Sequence, residues 1–254
     1  MRIFTPAPSD GPTPVIAYFH GGGWVMGDLD THLGQAHRLS TQVGAVVVSV
    51  DYRLAPEDCV AAAEWASANA VALGADPGLL AVAGDSAGGQ LAASVAIARR
   101  DGGQPLAAQL LNYPCINAIG HYRDEAVNAA YPSRATHATG PGLTLGAMTY
   151  FTASYVDDAE ARDWRMSPST ADLRGLAPAV VHTAGLDLLR DEGLQYATAL
   201  QAAGVNVIAR EFRSLNHGYF ALTPVSAAAD SAGTQAAADL RSVLGLTPLP
   251  GEHG

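Results

Sequence analysis

Leu79-Leu80-Ala81-Val82-Ala83-Gly84-Asp85-Ser86-Ala87-Gly88-Gly89 is the stretch that sets the fold of this chain. Leu79 to Ala83 reads as a buried strand, Gly88 to Arg100 as a helix, and Gly-x-Ser-x-Gly stands between them. A strand that turns at once into a helix holds the turning serine in a strained backbone conformation. Gly84 and Gly88 leave room there, because a side chain at either would collide across the turn. Ser86 Oγ would then project above the sheet, with the N-terminus of the helix adding positive potential. Taken alone, the pattern also fits a Gly-rich turn with a capping serine.

The chain on either side supplies the context. Val15 to Phe19 and Ala45 to Val50 are β-branched runs with almost no polar alternation, the mark of strands buried on both faces of a parallel sheet. Between them, Asp30 to Val43 carries Leu33, Ala36 and Leu39 at helical spacing and stops at Gly44, making a βαβ crossover. The alternation continues with helix Ala61 to Leu73, strand Ala107 to Leu111, strand Pro178 to Thr183, helix Asp191 to Ala203, strand Val205 to Phe212 and helix Ala227 to Val243. This order predicts an open, mostly parallel α/β sheet with helices on both faces. Asn117 to Ser169 breaks it. That stretch is richer in Tyr, Trp, Pro and charge, has one credible helix at Leu143 to Val156, and reads as an insertion covering the site at the strand C-termini.

Composition narrows the chemistry. The 254 residues are 48% hydrophobic and 15% charged, enough for one large core and too apolar for a disordered chain. With 24 acidic and 14 basic residues the net charge is -10, the wrong sign for nucleic acid or anionic lipid. Every basic residue is Arg, which excludes a Schiff-base lysine, a phosphate-loop lysine and a Ser-Lys dyad. Cys59 and Cys115 give at most one disulfide, and Met1 to Asp10 lacks the apolar run of a signal or anchor, so a soluble cytoplasmic protein is expected.

His20-Gly21-Gly22-Gly23-Trp24 follows the strand ending at Phe19. Consecutive glycines let backbone N–H groups turn inward toward a ligand oxygen, as an oxyanion hole requires. A phosphate-binding reading is weaker, since no Lys follows and the next helix begins only near Asp30. A serine nucleophile also needs a base and an acid to orient it. Of eight histidines, His182 falls within a strand as a core residue. His32 and His37 fall on a helix facing solvent, and His121, His137 and His253 adjoin no sheet element. His217, in the loop Ser214 to Gly218 beyond a strand, can swing over the C-terminal edge of the sheet. Asp187, just after the strand ending at Thr183, is the acid; Asp191 belongs to the first turn of the next helix. The order Ser86, Asp187, His217 is that of the α/β-hydrolase fold.

On these residues the chain resembles the hormone-sensitive-lipase-like esterases of the α/β-hydrolase superfamily, also called bacterial family IV. The matching stretches are His20 to Trp24, Asp51-Tyr52-Arg53-Leu54-Ala55-Pro56-Glu57, Gly84 to Gly89, Asp187-Leu188-Leu189-Arg190-Asp191-Glu192-Gly193 and His217-Gly218. The resemblance implies Ser86 as nucleophile, Asp187 as acid, His217 as base, and the N–H groups of Gly22, Gly23 and Ala87 as the oxyanion hole. It also implies short- to medium-chain acyl esters as substrates. Two departures stand out. Members usually begin with a helical segment that forms part of a cap, whereas this chain starts almost directly at a core strand. Glu57 also runs straight into Asp58-Cys59-Val60, where the family has a further Pro- and Phe-containing stretch. The expectation is a single domain over 1–254 with a reduced cap at 117–169 and no N-terminal cap segment.

The expected reaction is two-step acyl transfer through an acyl-enzyme, without metal or organic cofactor. The base must be neutral, so activity should fall below about pH 6 to 7. Trp24, Tyr131, Trp164 and the helix at Leu143 to Tyr155 are expected around the substrate. Two alternatives stay open: an amidase or peptidase with the same triad, and a non-catalytic ligand-binding protein on an esterase fold. The Val205 to Phe212 edge could pair across a homodimer axis or be blunted by Arg210, Glu211 and Arg213.

Overall fold

Along the first long strand, Val15, Ala17 and Phe19 join the apolar core on one face of the sheet, and Ile16 and Tyr18 join the core on the other. Both faces are therefore covered, which is why the run shows no polar alternation. The computed structural model describes residues 1–8, 11–53 and 56–247. Leu54 and Ala55 of the family-like stretch, and His253, lie outside them.

In chain order the elements are β1 (Arg2–Phe4), β2 (Val15–Phe19), α1 (Leu33–Val43), β3 (Val46–Val50), α2 (Pro56–Asn69), β4 (Leu80–Asp85), α3 (Ala87–Asp101) and β5 (Ala108–Asn112). There follow α4 (Glu125–Ala129), α5 (Pro132–Thr136), α6 (Leu145–Tyr155), β6 (Ala179–Leu186), α7 (Arg190–Ala202), β7 (Val207–Asn216) and α8 (Ala227–Val243). Seven strands form one sheet in the order β1-β3-β2-β4-β5-β6-β7. All neighbours are parallel except β1, which runs antiparallel to β3 with Ile3 opposite Val48. α2, α3 and α7 cover one face; α1 and α8 cover the other. α8 is Ala-rich, and Ala229, Ala232, Ala236 and Ala237 lie on its buried face.

The expected α/β alternation is present, and the differences sit at its ends. β1 was not expected, because three residues carry no periodicity of their own. α2 starts at Pro56, not Ala61, with Glu57 and Asp58 in its first turn, so the junction Glu57-Asp58 is helical. Proline at the start and acids in the first turn are helix-start signals. β4 extends to Asp85, since Gly84 and Asp85 still pair with Leu111 and Asn112. β7 extends to Asn216 past an irregularity opposite Ala184 to Leu186, so His217 directly follows a strand and does not sit within a loop from Ser214.

Residues 117–169 form three short helices, with α6 at the expected place. Arg134 ties them down. Its side chain has no exposed surface and donates to Glu192 at 2.5 Å, the carbonyl of Asn117 at 2.7 Å and Asn128 at 2.9 Å. Its guanidinium lies 4.0 Å from the Tyr122 ring centre and 4.4 Å from that of Tyr131. Burial works against the charge, but the Glu192 carboxylate outweighs it and holds Arg134 above its usual range.

Candidate active site

β4 delivers its last residue to the rim of the sheet. The N–H of Ser86 donates to the carbonyl of Asn112 at 2.9 Å, one more rung of the β4–β5 ladder, and the chain then turns into α3 at Ala87. Ser86 has φ 56° and ψ -120°, a conformation that costs a non-glycine residue about 1 to 3 kcal/mol. The flanking glycines permit it. A Cβ at Gly84 would lie 2.1 Å from the carbonyl oxygen of Gly88, and one at Gly88 would lie 2.0 Å from that of Phe19.

Asp187 follows β6 and His217 follows β7, so both side chains reach the same rim. His217 Nδ1 is 2.7 Å from Asp187 Oδ2, and its Nε2 is 2.8 Å from Ser86 Oγ. A carboxylate can only accept, so Nδ1 carries the proton and Nε2 is left to accept the serine hydroxyl. Asp187 is fully buried and also accepts the N–H of Leu189 at 2.9 Å, whereas the His217 side chain keeps 10% of its surface. The Tyr113 ring meets the imidazole edge-on at 4.8 Å and limits its rotation. Asp191 points elsewhere: it accepts the N–H of Ser133 at 2.7 Å and pairs with Arg190.

The loop after β2 climbs over the elbow through three successive left-handed residues: Gly22 at φ 123°, Gly23 at 59° and Trp24 at 61°. A Cβ at Gly22 would meet the carbonyl oxygen of Met26 at 2.1 Å, so only glycine fits. Among the described residues, no protein acceptor engages the N–H groups of Gly22, Gly23 or Ala87. Below the loop, Asp85 is buried and accepts the Tyr18 hydroxyl at 2.6 Å, with His32 Nε2 at 3.6 Å. Burial alone would raise the Asp85 pKa; His32 and Tyr18 outweigh it and bring it down. Burial would lower that of His32, and Asp85 raises it. His20 is shifted down by burial, and Tyr52 donates to its carbonyl at 2.6 Å.

Several expected placements are corrected. His32 does not face solvent: it stands just before α1, its side chain is 14% exposed, and it leans on Asp85. His37 is exposed as expected, and His182 is buried in β6. Trp24, Tyr131 and Trp164, expected around the substrate, each have other partners in the structure. Trp24 is wholly buried, with its indole on Gln90. The Tyr131 hydroxyl accepts from Asn117 at 2.8 Å, and its ring is taken up by Arg134. Trp164 lines a separate cavity of about 330 Å³ with Val60, Ala61 and Ala98. The sequence signal for all three is an aromatic residue in the glycine loop or in the insertion. Phe151 of α6, within the helix expected around the substrate, lies against the oxyanion-hole candidate: a Cβ at Gly23 would be 2.5 Å from its ring. Gly142 of the same insertion approaches the carbonyl of His217 as closely, its Cβ position falling 2.7 Å away.

Among the described residues, no three His, Cys, Asp or Glu side chains are grouped to hold a metal ion, and no helix is long and apolar enough to cross a membrane. A doubly covered parallel sheet with a strained serine at a strand-to-helix turn, bonded to a histidine and an acid from later strands, defines an α/β hydrolase. The match to known proteins is specific. The family described as alpha/beta hydrolase fold matches residues 16–221. The carboxylesterase NlhH of Mycobacterium tuberculosis is 43% identical over 96% of this chain and 78% of its own length, and the esterase LipI of the same organism is 41% identical over the same shares. The solved hyperthermophilic esterase of the archaeon Pyrobaculum calidifontis superposes with a TM-score of 0.84 at 40% identity, covering 92% of this chain and 79% of that one. The chain belongs to the alpha/beta hydrolase fold family, in its hormone-sensitive-lipase-like branch.

Proposed function

We propose that this protein is a serine carboxylesterase of short- to medium-chain acyl esters. The single observation that carries the reading is the unbroken bond chain from Asp187 through His217 to Ser86 beside backbone N–H groups that no acceptor among the described residues engages. His217 takes the hydroxyl proton as Ser86 attacks the ester carbonyl, then returns it to the leaving alcohol; water, activated the same way, cleaves the acyl-enzyme. Gly22, Gly23 and Ala87 hold the developing oxyanion, and each such donor is worth about 10² to 10³ in rate. Asp187 fixes the tautomer and stabilises the imidazolium. The names of the relatives support an ester over an amide, and the intact bond chain supports catalysis over mere ligand binding.

The chain acts as one domain in which 117–169 forms a cap over the site. The packing of Phe151 on Gly23 and of Gly142 on His217 supports that role. Its place is the cytoplasm, and any homodimer forms through the β7 edge. The test is covalent labelling by a fluorophosphonate together with hydrolysis of a p-nitrophenyl ester series. Wild type is labelled and turns over C2 to C8 esters, while Ser86→Ala is neither labelled nor active. Labelling that persists in Ser86→Ala would overturn the assignment.

A further inference from the structure

The buried amide of Gln90 is left unexplained by the triad. Gln90 stands on α3 one turn beyond Ser86, with no exposed surface, and its backbone N–H donates to the Ser86 carbonyl at 3.2 Å. Its Oε1 accepts the indole N–H of Trp24 at 2.8 Å, across 66 residues of sequence. Its Nε2 donates to Ser94 Oγ at 2.8 Å and to the carbonyl of Arg165. Both halves of the amide are engaged, so its orientation is fixed by its partners.

The far end of that bond is the strained end of the oxyanion loop. Trp24 is a bulky residue at φ 61°, wholly buried, a conformation that persists only where the surroundings over-determine it. Two contacts do so: the bond to Gln90, and a parallel stack on Tyr155 at 5.5 Å and 8°. Without an acceptor, the buried indole N–H would be orphaned, and the loop would gain by relaxing toward another partner. Gly22 and Gly23, immediately before it, would shift with it.

We propose that Gln90 is a positioning residue for ester hydrolysis. Its amide locks the oxyanion loop to the helix that carries the nucleophile, so that Ser86 and the N–H groups of Gly22 and Gly23 keep one fixed relation. This rests on the serine-esterase reading and deepens it. A displaced donor weakens the transition state more than the bound ester, so the loss falls on kcat. Deleting a donor costs about 10² to 10³, and displacing it is expected to cost about 10- to 30-fold.

The experiment is a double-mutant cycle of Gln90→Met, which removes the acceptor, and Trp24→Phe, which removes the donor. Val95→Ala, a buried cavity variant on the same helix, serves as the stability control. Each single variant is expected to lower kcat about 10- to 30-fold with KM within about twofold, and the double variant to be no worse than the poorer single. Affinity for an alkylboronic acid, whose tetrahedral serine adduct places an oxygen among the donors, falls in parallel. Val95→Ala loses Tm but keeps kcat and boronate affinity. Full kcat in Gln90→Met, losses that multiply in the double variant, or equal losses in Val95→Ala would each overturn the positioning role while wild type is still labelled at Ser86. An unlabelled wild type would instead overturn the esterase reading beneath it.

Discussion

Two of the histidine–aspartate pairs draw their histidines from the neighbouring strands β6 and β7, and only one of them adjoins a serine hydroxyl. At the rim, His217 meets Asp187 at 2.7 Å; within the sheet, His182 of β6 meets Asp239 of α8 at 2.9 Å. The contacts are alike and the surroundings are not. The second nitrogen of His217 faces a hydroxyl and its ring keeps some exposure, whereas Nδ1 of His182 is buried with no hydrogen-bond partner among the described residues. Asp187 has one histidine and a backbone N–H to serve, while Asp239 is also held by Arg210 and Gln235. A carboxylate already neutralised by a guanidinium has little left with which to stabilise an imidazolium. The pair proposed as catalytic is thus distinguished by what stands at its two outer ends, and the inner pair forms a polar tie between sheet and helix.

The largest expected effect removes one base and then the other. His217→Gln should lower kcat/KM by about 10⁵ to 10⁶ without loss of the fold, because the triad fails as a unit. His182→Gln should leave kcat/KM within about threefold and instead lower stability by about 1 to 2 kcal/mol, since glutamine can still donate to Asp239. Ester hydrolysis measured well below each variant's melting temperature separates the two. Equal losses of activity would erase the distinction.

A smaller effect comes from the acids. Asp187→Asn leaves the ring in place but supports the wrong tautomer, and about 10⁴ in kcat is expected to go. Asp239→Asn should spare kcat and cost about 1 to 3 kcal/mol of stability. That is less than for a fully enclosed ion pair, because the Arg210 side chain is 42% exposed. Thermal melts and kcat on the same preparations check both, and a fall in kcat for Asp239→Asn beyond tenfold would show that α8 reaches the rim.

The contrast also marks how far a sequence can be read. Ser86, His217 and Asp187 are each the first residue beyond a strand, and β4 and β6, buried on both faces, announce themselves through short apolar runs, while β7 is an exposed edge strand. Chain order then assigns the roles. Asp239 and Gln90 gave no such sign, because each sits inside a helix and acquires its meaning from an element 57 or 66 residues away. The same holds for His32, whose helical position suggests solvent until Asp85 is placed beside it, and for Trp24 and Tyr131, whose aromatic rings are taken up by packing within and beneath the insertion. Local geometry is written locally. The partners of a buried polar group are settled only when distant elements cross.

The smallest expected effect is a pH dependence carried by the inner pair. Burial opposes the charge on Asp239, but the bonds from Arg210, His182 and Gln235 outweigh it and hold the carboxyl well below its usual range. A carboxyl depressed in the folded state contributes stability that is present above the unfolded value near 3.8, and loses it as pH falls through the folded value. His182 acts in a higher window: burial lowers its pKa, so the unfolded chain takes up a proton near 6.5 that the native state refuses, and stability declines from there downward. Wild-type Tm should therefore drop in two stages, first below about pH 6.5 and again below about pH 4. Asp85, also depressed, contributes an acid limb to wild type and variant alike, so the informative quantity is the Tm gap between wild type and Asp239→Asn. That gap should narrow as pH is taken from 5 to 3, because protonation removes from wild type what the substitution has already removed. A constant gap would mean that Asp239 acts through packing alone, and the resemblance between the two pairs would then be one of distance only.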